Sequence, residues 1–155
     1  HREQRQLAII DIRGRAANRN PTSATAPSDY WGAMTGKYYA CQGNTLAGRE
    51  VVVAMGRAYE ETPGSLADRL MAALVAADCA GGDHCGRLAA GIRVAKTGHE
   101  GYWLELHVDK SDDAVAESAA AYAVWEHEAT GAWPGGRPPY EYPCTDRFEK
   151  TRPPQ

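Results

Sequence analysis

The chain has 155 residues, 17 of them basic and 20 acidic, for a formal net charge of −3. That length suits one domain able to bury roughly 70% of its unfolded surface, and charges mixed along the chain leave no basic stripe for nucleic acid. No apolar run is long enough to span a bilayer, and the polar start from His1 to Gln6 carries no signal peptide.

Leu7 to Ile12 is a short apolar run bounded by charged residues and followed by Arg13-Gly14-Arg15, which predicts a buried strand and a turn. A second strand follows over Ala16 to Arg19. Asn20 to Gly36 lacks periodicity and is rich in Pro, Ser, Thr and Ala, so it reads as a long loop anchored by Tyr30 and Trp31.

The stretch from Tyr38 to Gly48 combines a strand, a tight turn and a helix start. Tyr38, Tyr39 and Cys41 suit a pleated surface, whereas Gly43 and Asn44 tolerate a left-handed backbone. Polar groups at such a corner are held rigidly, close to the unpaired amides of the helix N-terminus. Arg49 to Glu61 then places Val52, Met55 and Tyr59 on one helical face, and Pro63-Gly64 stops it. Ser65 with Asp68 has the spacing of a reciprocal cap for a second helix, whose buried stripe is Leu66, Leu70, Ala73, Leu74 and Ala77. The short link predicts a helical hairpin, with Met55 and Met71 in the core.

Gly81 to Arg87 ends the hairpin and feeds a strand from Leu88 to Ala95. A turn over Lys96 to Gly101 leads to a strand from Tyr102 to Asp109 with both faces partly covered. Ser111 or Asp112 caps a third helix carrying Val115, Ala119 and Tyr122, which ends near Glu128 in the solvated trio Glu126-His127-Glu128. Strands, two helices, strands, one helix is the order of a layered α+β fold over residues 1–130. Residues 131–155 contain six prolines spread among Trp133, Tyr140, Tyr142 and Phe148. They read as a C-terminal arm that wraps the domain or reaches a neighbouring subunit.

None of the four cysteines lies in a C-x-x-C pair. Three arrangements are compatible with the spacing. Cys79 and Cys85 can close a small disulfide ring across the glycine-rich loop, leaving Cys41 and Cys144 as the other pair and implying a secreted or periplasmic home. Four buried thiols, in a cytoplasmic protein, are the second. Zinc held by Cys79, Asp83, His84 and Cys85 is the third, with crowded ligands.

Arg5-Gln6-Leu7-Ala8-Ile9-Ile10-Asp11, Gln42-Gly43-Asn44-Thr45-Leu46-Ala47-Gly48, Gly81-Gly82-Asp83 with Gly86-Arg87, and Val108-Asp109 with Val115-Ala116-Glu117 resemble, in order and spacing, the bacterial domain-of-unknown-function family 1028. That family is grouped with the N-terminal-nucleophile hydrolases. The likeness runs from about His1 to Glu117. It implies an αββα layered sandwich, incomplete at the N-terminus, because family members open with a strand pair before the Arg-Gln segment. It also implies an amide hydrolase whose N-terminal Thr, Ser or Cys is nucleophile and, through its α-amino group, base. Residue 1 here is His. The isolated chain is therefore expected to be inactive, with a separate N-terminal segment as the missing part. Leu88-Ala89 and Lys110-Ser111 also stand where relatives carry polar residues.

Within this frame Asn44 is the candidate oxyanion donor, and with Gln42 forms the candidate catalytic set. Asp83 and Arg87 are the candidate substrate-binding pair, or else an ion pair that ties the loop to the sheet; for Asn44 the structural alternative is a helix cap. No cofactor or metal is called for. The alternative function is a non-catalytic, self-assembling secreted protein, a homo-oligomer joined through the arm; neither reading involves nucleic acid or a membrane.

Overall fold

Local signals account for most of the helical boundaries. The computed structural model describes residues 2–22, 30–131 and 142–144. The first helix, α1 (Arg49–Glu61), ends at Thr62, whose N–H still bonds to the Ala58 carbonyl before proline intervenes. In α2 (Leu66–Cys79) the reciprocal cap is complete: the Asp68 N–H donates to Ser65 Oγ at 3.2 Å, and the Ser65 N–H to Asp68 Oδ2 at 2.6 Å. Such a cap contributes about 1 kcal/mol. The third helix, α3 (Ala114–Thr130), has Asp113 at its N-cap; Ser111 Oγ accepts from the Asp113 N–H rather than capping directly, and Gly131 closes the helix in the left-handed conformation at φ 73°.

The α+β class holds, with six strands among the described residues in three two-stranded antiparallel sheets. The first pairs β1 (Leu7–Ile10) with β2 (Ala16–Arg19), the second β3 (Gly32–Gly36) with β4 (Tyr39–Gly43), and the third β5 (Ala89–Val94) with β6 (Leu104–Asp109). The β3 strand lies inside the stretch read as a loop. Gly, Ala, Met and Thr have little strand preference of their own, and pairing with β4 makes the strand. Tyr38 belongs to the connecting turn, at φ 70°, with its ring over Gly14, where any Cβ would collide with it. Residues 23–29 and most of the proline-rich arm, 132–141 and 145–155, lie outside the described residues.

α2 is the central element. Ala67, Met71 and Val75 meet Ile92, Val94 and Leu104 of the third sheet and Ala119 and Tyr122 of α3. Its other side carries Ala73 to Tyr39, Cys41 and Tyr59, and Ala77 to Leu46, Val51 and Val52. The buried stripe is thus wider than the sequence pattern indicates, and Leu66 lies outside it, 48% exposed. Met71 is in the core and Met55 packs at its edge, as expected. In β6, Leu104, Leu106 and Val108 turn inward while Glu105, His107 and Asp109 are exposed, so one face is covered rather than two.

The largest departure is β1. Leu7, Ile9, Ile10 and Ile12 are 60%, 71%, 47% and 101% exposed, where the apolar run predicts burial. Nothing in the described residues covers this surface.

The cysteine pairing also differs from the expectation. Cys79 is bridged to Cys144, Cα atoms 5.3 Å apart, while Cys41 is a buried free thiol and Cys85 an exposed one. The loop after Cys79 turns toward the α1 corner, where His84 N–H bonds to the Thr45 carbonyl, and so does not close back on Cys79. With Cys79 committed to Cys144, the zinc arrangement is not assembled. Among the described residues no group of three or more His, Cys, Asp or Glu could hold a metal ion, and no helix is long and apolar enough to cross a membrane.

Burial pushes the Cys41 thiol up to about 11, with the Glu60 charge adding to it. Iodoacetamide at pH 8 is therefore expected to label one thiol of the native protein, Cys85, and two after unfolding without reductant; peptide mapping of the alkylated protein checks this.

Candidate functional site

The corner joining β4 to α1 meets the loop that follows α2. Leu46 and Asp83 form an antiparallel bridge, and the Ala47 N–H donates to the Gly82 carbonyl at 2.9 Å. Thr45, at φ 53°, is the strained residue: a β-branched side chain rarely adopts that backbone. Its hydroxyl lies 2.7 Å from Asp83 Oδ2 and 2.6 Å from the Asn44 carbonyl oxygen. Asp83 Oδ1 in turn accepts the Cys85 N–H at 2.7 Å. The carboxylate thus fixes both strands of the corner, and its hydrogen bonds offset the strain at Thr45.

Asn44 is exposed at the tip of this corner. It does not cap α1: the N-cap is Gly48, which has no side chain to offer the first amides. Gln42 is exposed on β4, opposite Ala33, on the face away from buried Cys41. The structure thus brings Asn44 and Asp83 together, through Thr45, with Gln42 one strand position away.

Arg87 does not belong to this group. Its guanidinium Nη1 lies 2.9 Å from Asp78 Oδ1, and the two side chains are 12% and 2% exposed. The expected Asp83–Arg87 ion pair is replaced by this buried one. Asp78 Oδ2 also accepts the Tyr142 hydroxyl at 2.5 Å, so the segment bridged through Cys144 is anchored twice to the end of α2.

Sequence reasoning missed two further residues. Thr45 carries the strain that holds the corner, and no sequence signal marks a threonine with positive φ. Gln6 Nε2 lies 2.9 Å from Asn20 Oδ1, 3.0 Å from the Gly32 carbonyl and 3.1 Å from that of Gly43. One side chain thereby links the β1–β2 hairpin to both strands at the open end of the β3–β4 pair, where Gly32 and Gly43 are register partners, beside Asn44. Its only trace in the sequence is a polar residue directly preceding an apolar strand.

The family of unknown function DUF1028 matches residues 1–118, a span that begins before β1 and ends inside α3. The chain belongs to the DUF1028 family. A solved structure of a DUF1028 protein from Silicibacter pomeroyi superposes with a TM-score of 0.61 at 27% sequence identity, over 76% of this chain. The chain spans 50% of the length of that structure. No curated protein matches it. Both corner segments, Gln42 to Gly48 and Gly81 to Arg87, fall within the residues matched to the DUF1028 family, whereas Cys144 and its neighbours lie beyond them.

Proposed function

We propose that the chain is part of an amide hydrolase of the N-terminal-nucleophile type, built as an αββα layered sandwich, with the Asn44–Thr45–Asp83 corner as one wall of its substrate site. The supporting observation is the strained corner: Thr45 at φ 53°, its hydroxyl 2.7 Å from Asp83, holds exposed Asn44 in one position. A fixed amide N–H at the mouth of a site can stabilise the oxyanion that forms when an amide carbonyl is attacked. Thr45 itself is not the nucleophile. Its nitrogen is a peptide nitrogen, so it has no α-amino group to act as base.

The nucleophile in this reading is the N-terminal Thr, Ser or Cys of a companion segment, and the isolated chain is inactive. Two observations favour such a segment. The apolar side chains of β1 are open to solvent, and the chain spans half of the related solved structure. Gln6, which joins β1 to the corner, would carry the contact between that segment and Asn44.

The same exposed β1 surface supports the second reading, a secreted homo-oligomer in which copies cover one another. An oxidising, extracellular or periplasmic location suits both readings, because the Cys79–Cys144 bridge would be reduced in a cytoplasm.

N-terminal sequencing and native mass of the natural material separate the two. A companion chain starting with Thr, Ser or Cys, with amidase activity that Asn44→Ala lowers about 100-fold in kcat, supports the hydrolase. A homo-oligomer without a companion chain, inert toward a panel of anilides and acyl amides, sinks it in favour of assembly.

A further inference from the structure

The polar end of a second site lies at the far end of α2 from the corner. Asp68 is in its first turn and Gly82–Asp83 follow its last, so the two are separated by the helix length, about 20 Å. Here α2 and α3, with Ala54 of α1, Thr62 just after it and Pro143, line a groove of about 880 Å³, a volume in the range of small-molecule sites. Its walls are small and apolar, with Ala72 and Ala76 on α2 facing Ala119 and Ala123 on α3.

The polar groups of the groove are collected at one end. Tyr122 Oη donates to Asp68 Oδ1 at 2.6 Å, and Asp68 Oδ2 accepts the Ser65 N–H. Glu126, one turn beyond Tyr122, is half-buried beside Asp68 rather than solvated as its position in the sequence implies. Burial, and then the charge and hydrogen bond of Asp68, hold its proton above the ordinary glutamate range. Burial works against the Asp68 charge, yet hydrogen bonds from Tyr122 and Ser65 keep its carboxyl below its usual value. The Asp68 charge therefore disfavours ionisation of Glu126. No basic side chain lines the groove among the described residues.

We propose that this groove binds a small organic ammonium ion with an apolar body, its N–H groups donated to Glu126 and Asp68 and its hydrocarbon lying along Ala72, Ala76 and Ala123. The complementarity is both of charge and of shape. A cation offsets the repulsion between the two carboxylates, and an alkyl chain is the occupant that an alanine-lined wall can desolvate at no polar cost. A bound ammonium favours the ionised form of Glu126, so binding strengthens as pH rises through the Glu126 titration. The other groups facing Glu126 are Tyr122, whose phenol burial and Asp68 push up, and Asp68; α1 and Pro143 contribute no titratable side chain. A primary alkylamine stays protonated to about pH 10, so the whole effect belongs to the carboxyl pair.

The test is an amide-resolved NMR titration of the full chain with n-hexylamine hydrochloride, hexan-1-ol and sodium hexanoate. Expected are shifts confined to residues 68–76 and 119–126, a Kd of about 1 mM or tighter for the amine, and binding at least about tenfold weaker for the alcohol and the acid. Affinity for the amine should be higher at pH 8 than at pH 5, and Glu126→Gln, at a half-exposed helix position, should remove that difference with the fold intact. Equal affinity for amine and alcohol, a flat pH profile, shifts centred elsewhere, or no binding at about 10 mM would each overturn the proposal.

Discussion

Cys144→Ser is expected to lower the melting temperature by about 12 °C, because the bridge it removes closes a long loop. Cys79 and Cys144 are 65 residues apart in sequence. On the chain-entropy account, a loop of that length restricts the unfolded chain enough to contribute about 4 kcal/mol, and at this chain length each kcal/mol moves the midpoint by about 3 °C. Calorimetry on the wild-type protein with and without dithiothreitol should show the same drop as the variant. Cys85→Ser, at an exposed free thiol, should leave the midpoint within about 1 °C. A drop under about 2 °C for Cys144→Ser would show that the bridge does not restrain the chain, and that the contacts of Tyr142 with Asp78 and the core hold this segment without it.

What the sequence made legible is what neighbours in sequence decide. The Ser65–Asp68 cap, the stop at Pro63-Gly64 and the span of α1 each depend on residues within one helical turn, and each is found where the pattern puts it. Partners far apart in sequence were not legible. Cys79 sits six residues from Cys85, which made a local ring the obvious reading, but the bridge is set by where residues 142–144 dock. The exposure of Leu7 to Ile12 is equally hidden, since an apolar run says that a strand prefers burial and nothing about what buries it. At the corner, glycine and asparagine marked the turn, and Asn44 and Asp83 are linked only through Thr45. The residue between them, Thr45, escaped notice because its backbone strain is imposed by tertiary contacts.

Arg87 pairs with Asp78 rather than with Asp83, and its substitution carries the second large effect. Asp78 lies on the buried face of α2, seven residues after Met71 and three after Val75, where the helical repeat calls for an apolar side chain. A carboxylate there is tolerated because Arg87 returns across the Gly81-Gly82 turn to meet it and Tyr142 donates to its second oxygen. Arg87→Met leaves that buried charge with the phenol alone, so urea denaturation should show a loss of about 3–5 kcal/mol. The double variant Asp78→Leu, Arg87→Met removes charge and countercharge together, and should recover most of the loss. If Arg87 served instead to bind substrate, the single variant would behave as a surface change, within about 0.5 kcal/mol of wild type, and only ligand binding would suffer. The outcome bears on the corner as well. The Gly82 carbonyl that accepts the Ala47 N–H lies on the turn which this ion pair closes, so loss of the pair should loosen Asp83 and relax Thr45 from its left-handed conformation. Faster amide exchange at His84 and Cys85 in Arg87→Met, slowed again in the double variant, would show that the buried pair is what holds the candidate site in shape.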